Sequence, residues 1–446
     1  MRRIKGFQGL RRIVSGLAVL VFLAASARAA EPAPSAGYGL WVDDHRAASV
    51  ADQTEPLRLF LQRELSAERR RALTEALAFS RGQVDRTAAL LQARPADEFP
   101  LRTDPTTGEW DMVNATYWTA GHWVGQLWDL YRATGDPRYA AWAKAKADRI
   151  AASDLDLPWS HDQGFLFGLS HVKGLPFVDE DARRRLREDA ITAAGMYLKK
   201  ANPHNGLIHW HGTYEGDLDK SDVDAIVDSM MNVPFLWWAS EASGDVRYRE
   251  AGLRHAEAVR AHLVRPDFST AHAVRFDPRD GRILGQDSAQ GFSKDSMWAR
   301  GQSWAIYGFT VVYVKTGDRR WLETARGLAD FYLGHPRLPA DHIPYWDLDA
   351  PRIPNEPRDS SAAAVVAAGL QQLARFEEDP ARAEGYLRQS IAILESLSGP
   401  FYLARGTNDQ AIILHGCRNQ RKGVSDNGLV FGDYYYLEAL IRLLYW

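Results

Sequence analysis

Asp228 stands in an apolar and aromatic run, Ala225-Ile-Val-Asp228-Ser-Met-Met-Asn232-Val-Pro-Phe-Leu-Trp237-Trp238. A carboxylate buried there without a partner is strongly disfavoured, so its pKa rises. A carboxylic acid that stays protonated near neutral pH can serve as a general acid. The alternative is a buried Asp that caps a helix or pairs with an Arg. A second carboxylate lies in His161-Asp162-Gln-Gly164-Phe165, where Gly164 allows close approach of a chain or ligand. The densest polar cluster runs from Gln290-Gly291-Phe292 to Trp298-Ala-Arg300-Gly301-Gln302-Ser-Trp304. It offers Arg for a carboxylate, Trp for stacking and Gln for hydrogen bonds. As structure alone it reads as a helix start with a buried Arg.

Other chemistries find little support. His204, His209 and His211 share a stretch with Trp210 but lack a standard zinc-ligand spacing. The chain has no H-E-x-x-H, P-loop or Gly-rich dinucleotide motif, and no G-x-S-x-G nucleophile turn.

Helices must position these residues. A turn recurs as Gly135-Asp136-Pro-Arg138-Tyr139, Gly244-Asp245-Val-Arg247-Tyr248 and Gly317-Asp318-Arg-Arg320-Trp321. In each copy Gly is expected to end one helix in a left-handed cap and Asp to cap the next. Periodicity places helices near 68–94, 114–133, 137–152, 161–174, 180–201, 224–241, 245–264, 296–315, 319–334, 359–376, 380–397 and 433–445. Those near 137, 180, 245, 319 and 380 carry a charged stripe and read as outer helices. Those near 114, 161, 224, 296, 359 and 433 are apolar nearly all round and read as inner ones. Six hairpins of this kind make an all-α (α/α)6 barrel. One β-hairpin is expected at 272–276 and 283–284, and the long loops 203–222, 335–358 and 399–432 are expected to build the site. The polar residues of the inner helices gather near their N-terminal ends, which a toroid opens on one face. Asp162, Asp359 and Asp433 also sit where N-caps would sit.

The 446-residue chain carries a net charge of −3, so no basic field points to nucleic acid or an anionic membrane surface. Cys417 is its one cysteine, which excludes an internal disulfide. Its 15 Trp and 17 Tyr hint at sugar stacking as well as core packing. Residues 1–29 read as an export signal, with Arg2, Arg3, Lys5, Arg11 and Arg12 ahead of an apolar stretch, Ile13 to Ala25, and an Ala27-Arg28-Ala29 cleavage site. Residues 30–66 are expected as an N-terminal extension and 67–446 as the catalytic barrel. The expectation is an exported enzyme, periplasmic if the host is Gram-negative.

Seven blocks together resemble the unsaturated glucuronyl hydrolases, glycoside hydrolase family 88, over roughly residues 110–445. They are Trp118-Thr-Ala-Gly121, His161-Asp-Gln-Gly-Phe165, Val227-Asp-Ser-Met-Met-Asn232, Gln290-Gly through Trp304, Tyr345-Trp-Asp347, Arg358-Asp-Ser-Ser-Ala-Ala-Ala364 and Phe431-Gly-Asp-Tyr-Tyr435. The resemblance implies the (α/α)6 barrel and a substrate left by polysaccharide lyases, an oligosaccharide ending in a 4,5-unsaturated uronic acid. It implies that Asp228 protonates C4 of the enol ether and then takes a proton from the water adding at C5. Asp162 would act as an ionised partner that raises the Asp228 pKa and positions the sugar. Trp118, His161, Trp210, His272, Gln290, Trp298, Arg300 and Trp304 are implied as substrate contacts, with Arg300 meeting the uronate carboxylate or a hydroxyl. No metal or organic cofactor is implied.

The chain departs from the family at two places. Many relatives carry a His before the Gln-Gly pair, where this chain has Ala289. Some carry Ser-x-x-Ser-x-Lys near the C-terminus, where Cys417-Arg-Asn-Gln420-Arg-Lys422 keeps only the lysine. Three other readings remain open at this point: the same chemistry on unsaturated rhamnogalacturonan fragments, an ordinary inverting glycosidase, and a non-catalytic helical sugar-binding protein.

Overall fold

The three Gly-Asp turns are built as expected. In a computed structural model that describes residues 46–152 and 160–445, Gly135, Gly244 and Gly317 take φ of 67°, 79° and 67°, and each closes a helix. The following Asp136, Asp245 and Asp318 accept from the backbone N–H of Arg138, Arg247 and Arg320. The same three arginines turn back and clamp the capping carboxylates. Sequence spacing alone thus sets three helical hairpins.

The α-helices are α1 (Thr54–Glu64), α2 (Ala67–Gln92), α3 (Ala120–Thr134), α4 (Pro137–Ala151), α5 (Glu180–Leu198), α6 (Val233–Ser243), α7 (Val246–His262), α8 (Ala299–Thr316), α9 (Arg319–Leu333), α10 (Ser360–Phe376), α11 (Pro380–Leu397) and α12 (Val430–Tyr445). An inner ring closes through α3, the helical turn Gly164–Gly168, α6, α8, α10 and α12, with α12 packing back on α3. Outside it α2, α4, α5, α7, α9 and α11 each cover an inner neighbour. This is the (α/α)6 barrel. The inner helices are buried over nearly their whole surface, as their all-round apolar sequences require.

Several elements differ from their sequence expectation. The expected 161–174 helix is a π-helical turn, Gly164–Gly168, followed by a 3-10 stretch, Val172–Phe177, that contains Pro176. A Cβ at Gly164 would come 2.7 Å from Asn232 Cα, so only glycine lets this turn approach the next inner element. The expected 224–241 helix is divided into strand β3 (Val223–Ile226), a 3-10 turn (Val227–Met231) and α6, which opens with Pro234 in its first turn. Asp228 therefore rides on the 3-10 turn ahead of the helix.

Helix α3 begins at Ala120, because the preceding residues form a hairpin of β1 (Glu98–Thr103) and β2 (Trp110–Asn114). Helix α1 lies within the expected N-terminal extension and packs on α11. The expected export signal at 1–29 lies outside the described residues. Helix α12 starts at Val430, so Asp433 is inside its first turn instead of capping it; its carboxylate accepts from the backbone N–H groups of Ile412 and Ile413. Asp359 does cap α10.

The expected hairpin exists as β4 (Ala273–Phe276) and β5 (Ile283–Asp287), but β3 joins it in the order β3-β4-β5. This sheet matters for the site. Ile226 pairs with Ala273, and the Val227 N–H donates to His272 O at 3.0 Å. The ladder therefore sets Asp228 beside His272.

Candidate active site

A cavity of about 440 Å³ opens at the end of the barrel where the inner turns and long loops converge. That lies within the usual range of ligand sites, roughly 300–1,000 Å³. Of the ten residues singled out from sequence, seven line it: Trp118, His161, Asp162, Trp210, Asp228, Gln290 and Arg300. His272, Trp298 and Trp304 are buried and do not line the cavity. The His272 and Trp298 rings meet edge to face at 4.8 Å.

Burial raises the Asp228 pKa to about 7, and the charge of Asp162 adds to the rise while Arg300 opposes it. Asp228 Oδ2 and Trp304 Nε1 are both buried and without a hydrogen-bond partner. The Nε2 of His272 is 3.7 Å from that same oxygen. Burial drives the His272 pKa down to about 3, so the imidazole is neutral.

Asp162 is held from both sides. Ser160 Oγ donates to Oδ2 at 2.9 Å and Asn232 Nδ2 donates to Oδ1 at 3.3 Å. Asn232 Oδ1 in turn accepts from the Phe165 N–H at 2.8 Å, which ties the π turn to the acid's element. Burial raises the Asp162 pKa to about 6, against the pull of the Ser160 and Asn232 hydrogen bonds. Two carboxyl groups thus share one cavity, both with pKa values raised by burial and Asp228 the higher of the two.

Arg300 lines the cavity, yet most of its donors are already engaged. It reaches Asp359 Oδ2 at 2.7 Å, Gln290 Oε1 at 3.0 Å, and the backbone oxygens of Cys417 and Arg418 at 2.5 and 2.8 Å. Its guanidinium lies over the Trp298 ring at 4.6 Å. One side chain thereby ties α8, the α10 cap, the Gln290 loop and the C-terminal loop together. Asp347 does similar work for the Gln290 loop, accepting from the Phe292 N–H at 2.8 Å and Ser296 Oγ at 2.7 Å.

The cavity wall also includes residues that sequence reasoning did not single out as site residues: Asn114, Thr116, Tyr117, Ser160, His211, Arg418 and Asn419. Ser160 was adjacent to a recognised motif. Tyr117 and Arg418 hydrogen-bond across 301 residues of sequence, a contact that local spacing cannot signal. The three histidines weighed as zinc ligands diverge. His204 faces Tyr214, His209 pairs with Asp217 at 3.2 Å, and His211 borders the cavity.

The family described as Glycosyl Hydrolase Family 88 has a model that matches residues 93–335. The chain belongs to this family. It is therefore a glycoside hydrolase. Among family 88 relatives, an unsaturated glucuronyl hydrolase of Formosa agariphila is 34% identical over 350 residues, covering 78% of this chain and 85% of the relative. An unsaturated chondroitin disaccharide hydrolase of Streptococcus pyogenes is 32% identical over 357 residues, covering 78% of this chain and 86% of the relative. The crystal structure of an unsaturated glucuronyl hydrolase specific for heparin superposes with a TM-score of 0.76 at 30% identity, covering 83% of this chain and 96% of that one.

Proposed function

We propose that this enzyme removes a 4,5-unsaturated glucuronic acid from the non-reducing end of lyase-generated oligosaccharides by hydrating the C4=C5 enol ether. The observation that carries the reading is Asp228, a cavity-facing carboxyl whose pKa burial lifts to about 7. Protonating an enol-ether carbon needs an acid that is still protonated near neutral pH. Asp228 delivers that proton to C4, and the positive charge that develops at C5 and the ring oxygen is favoured by the carboxylate of Asp162. The newly ionised Asp228 then accepts a proton from the water that adds at C5. The resulting hemiketal opens and the remaining saccharide leaves the anomeric carbon. Proton and water balance: one water is consumed and the acid is regenerated.

Trp118 and Trp210 on the cavity wall supply stacking faces for the sugar rings. His161, Gln290 and Arg300 supply polar contacts. The substrate carries its own electron-rich alkene, so the chemistry asks only for a proton and a water. The basic start, the apolar stretch and the Ala27-Arg28-Ala29 site support export of the enzyme. Such a location would place it where extracellular lyases leave their products.

The test is an ultraviolet assay. Purified enzyme should abolish the conjugated-alkene absorbance of lyase-generated chondroitin, hyaluronan or heparin disaccharides. If no unsaturated glucuronyl product across those three, gellan and xanthan is bleached, the reading fails.

A further inference from the structure

Behind the cavity, His255 of the outer helix α7 is fully buried and makes two hydrogen bonds to two different parts of the site. The Ile208 backbone N–H donates to its Nδ1 at 3.0 Å. A backbone N–H can only donate, so Nδ1 must accept, and the neutral ring carries its proton on Nε2. Nε2 lies 2.6 Å from Ser229 Oγ and donates to it. The Ser229 hydroxyl then has one role left, and it donates to the Ile226 carbonyl. The direction of every proton in this chain of three bonds is thereby fixed.

Both ends of the chain lead to the cavity. Ser229 follows Asp228 in the 3-10 turn, and Ile226 is the last residue of β3 before that turn. Ile208 lies two residues before Trp210, whose own N–H donates to the Asp224 carbonyl of β3 at 3.2 Å. One imidazole therefore spans the segment that carries a stacking tryptophan and the turn that carries the acid.

We infer that His255 is a positioning residue: through Ser229 and Ile208 it sets the acid turn and the Trp210 segment in register with each other. The inference rests on the proposed role of Asp228. A His255 that merely filled the core would be replaceable by any side chain of similar size. A relay with fixed donor and acceptor ends is not, because each end left unpaired would release a different part of the site.

The two ends can be separated. His255→Asn keeps an acceptor near the Nδ1 position and loses the donor to Ser229. His255→Gln keeps a donor near the Nε2 position and loses the acceptor for Ile208. His255→Asn should lower kcat about tenfold with little change in KM, since a small misplacement of a reacting group has effects of this size or larger. His255→Gln should raise KM more than it lowers kcat. Ser229→Ala should reproduce His255→Asn, and the double variant should be no worse than either alone, because both break the same path.

The pH profile supplies a readout that loss of folded protein would not move. Asp228 is faced by His272, Arg300 and Asp162, and a turn that slips toward water gains solvation for the carboxylate. The alkaline limb of the kcat profile should therefore shift to lower pH in His255→Asn and Ser229→Ala. Unchanged limbs and an unchanged kcat per folded molecule in both variants overturn the relay. If His255→Asn fails to fold, Ser229→Ala alone decides by the same shift. Wild-type enzyme inactive on every unsaturated uronide would instead overturn the proposed function, so the two failures are distinct.

Discussion

His272 Nε2 faces Asp228 Oδ2 at 3.7 Å, and the ring has one way to carry its proton. The Ala289 backbone N–H donates to Nδ1 at 2.9 Å, so the proton sits on Nε2, toward the acid. A charged imidazolium at this distance would pull the Asp228 pKa down and weaken its use as an acid. Burial prevents that by keeping the ring neutral, with a pKa of about 3. Ala289, where the resemblance led one to expect a histidine, contributes here through its backbone.

The first prediction concerns the working pH. The proposed mechanism needs Asp228 protonated and Asp162 ionised. Their pKa values of about 7 and about 6 give a narrow bell for kcat/KM, with activity falling above the first and below the second. The two carboxyls titrate as a pair, so the limbs belong to both. Rates measured across pH 4–9 check this; a flat profile would contradict it.

Asp228→Asn keeps the shape of the site and removes the proton donor. Loss of alkene absorbance should slow by about 10²–10⁴-fold, the range that general acid catalysis contributes. Full activity in this variant would falsify the mechanism.

The same substitution should stabilise the protein at neutral pH. The folded Asp228 pKa is raised above its unfolded value of 3.8. Its stability contribution is therefore fully present below the unfolded pKa and is lost as pH rises through about 7. Asn escapes that penalty, which is on the order of a few kcal/mol for a shift of this size. Thermal melts should show Asp228→Asn more stable than wild type at pH 8, with the gap closing toward pH 4.

Asn232→Asp puts a second carboxylate beside Asp162 in place of an amide donor. The Asp162 pKa should rise, and the acidic limb should move to higher pH. The Phe165 N–H keeps an acceptor, so the π turn should stay in place. An unmoved acidic limb would show that Asp162 is not the group titrating there.

Breaking the Arg300 clamp leaves Asp359 buried without its cation. Arg300→Met should destabilise the protein by about 3–5 kcal/mol, as expected when one partner of a buried ion pair is removed. Arg300→Lys should restore the charge but not the four-way geometry, and denaturant titration should place it between Met and wild type.

The Gly-Asp turns, the alternation of charged and apolar helices and the placement of Asp228 in an apolar run are all local properties. Helix caps, periodicity and burial tendency act over a few residues, so the barrel, most helix positions and both carboxylates could be read from the chain before any contact was known. Where local patterns compete, reading stops. The run from 224 to 241 looks helical throughout, yet β4 captures Val223–Ile226 as a strand because a neighbouring edge offers backbone partners. Residues 161–174 look like one helix, yet Asn232 draws the chain into a π turn.

The site divides in the same way. Sequence marked the candidate residues, because a carboxyl in an apolar run and clustered rings stand out by type and spacing. Tertiary structure decided which of them reach the cavity. It engages Arg300 with Asp359 and three oxygens, sets Trp298, Trp304 and His272 behind the wall, and brings Arg418 to Tyr117 across 301 residues. Those outcomes depend on hydrogen bonds and packing between distant segments, whose strength arises only once the barrel closes and excludes water.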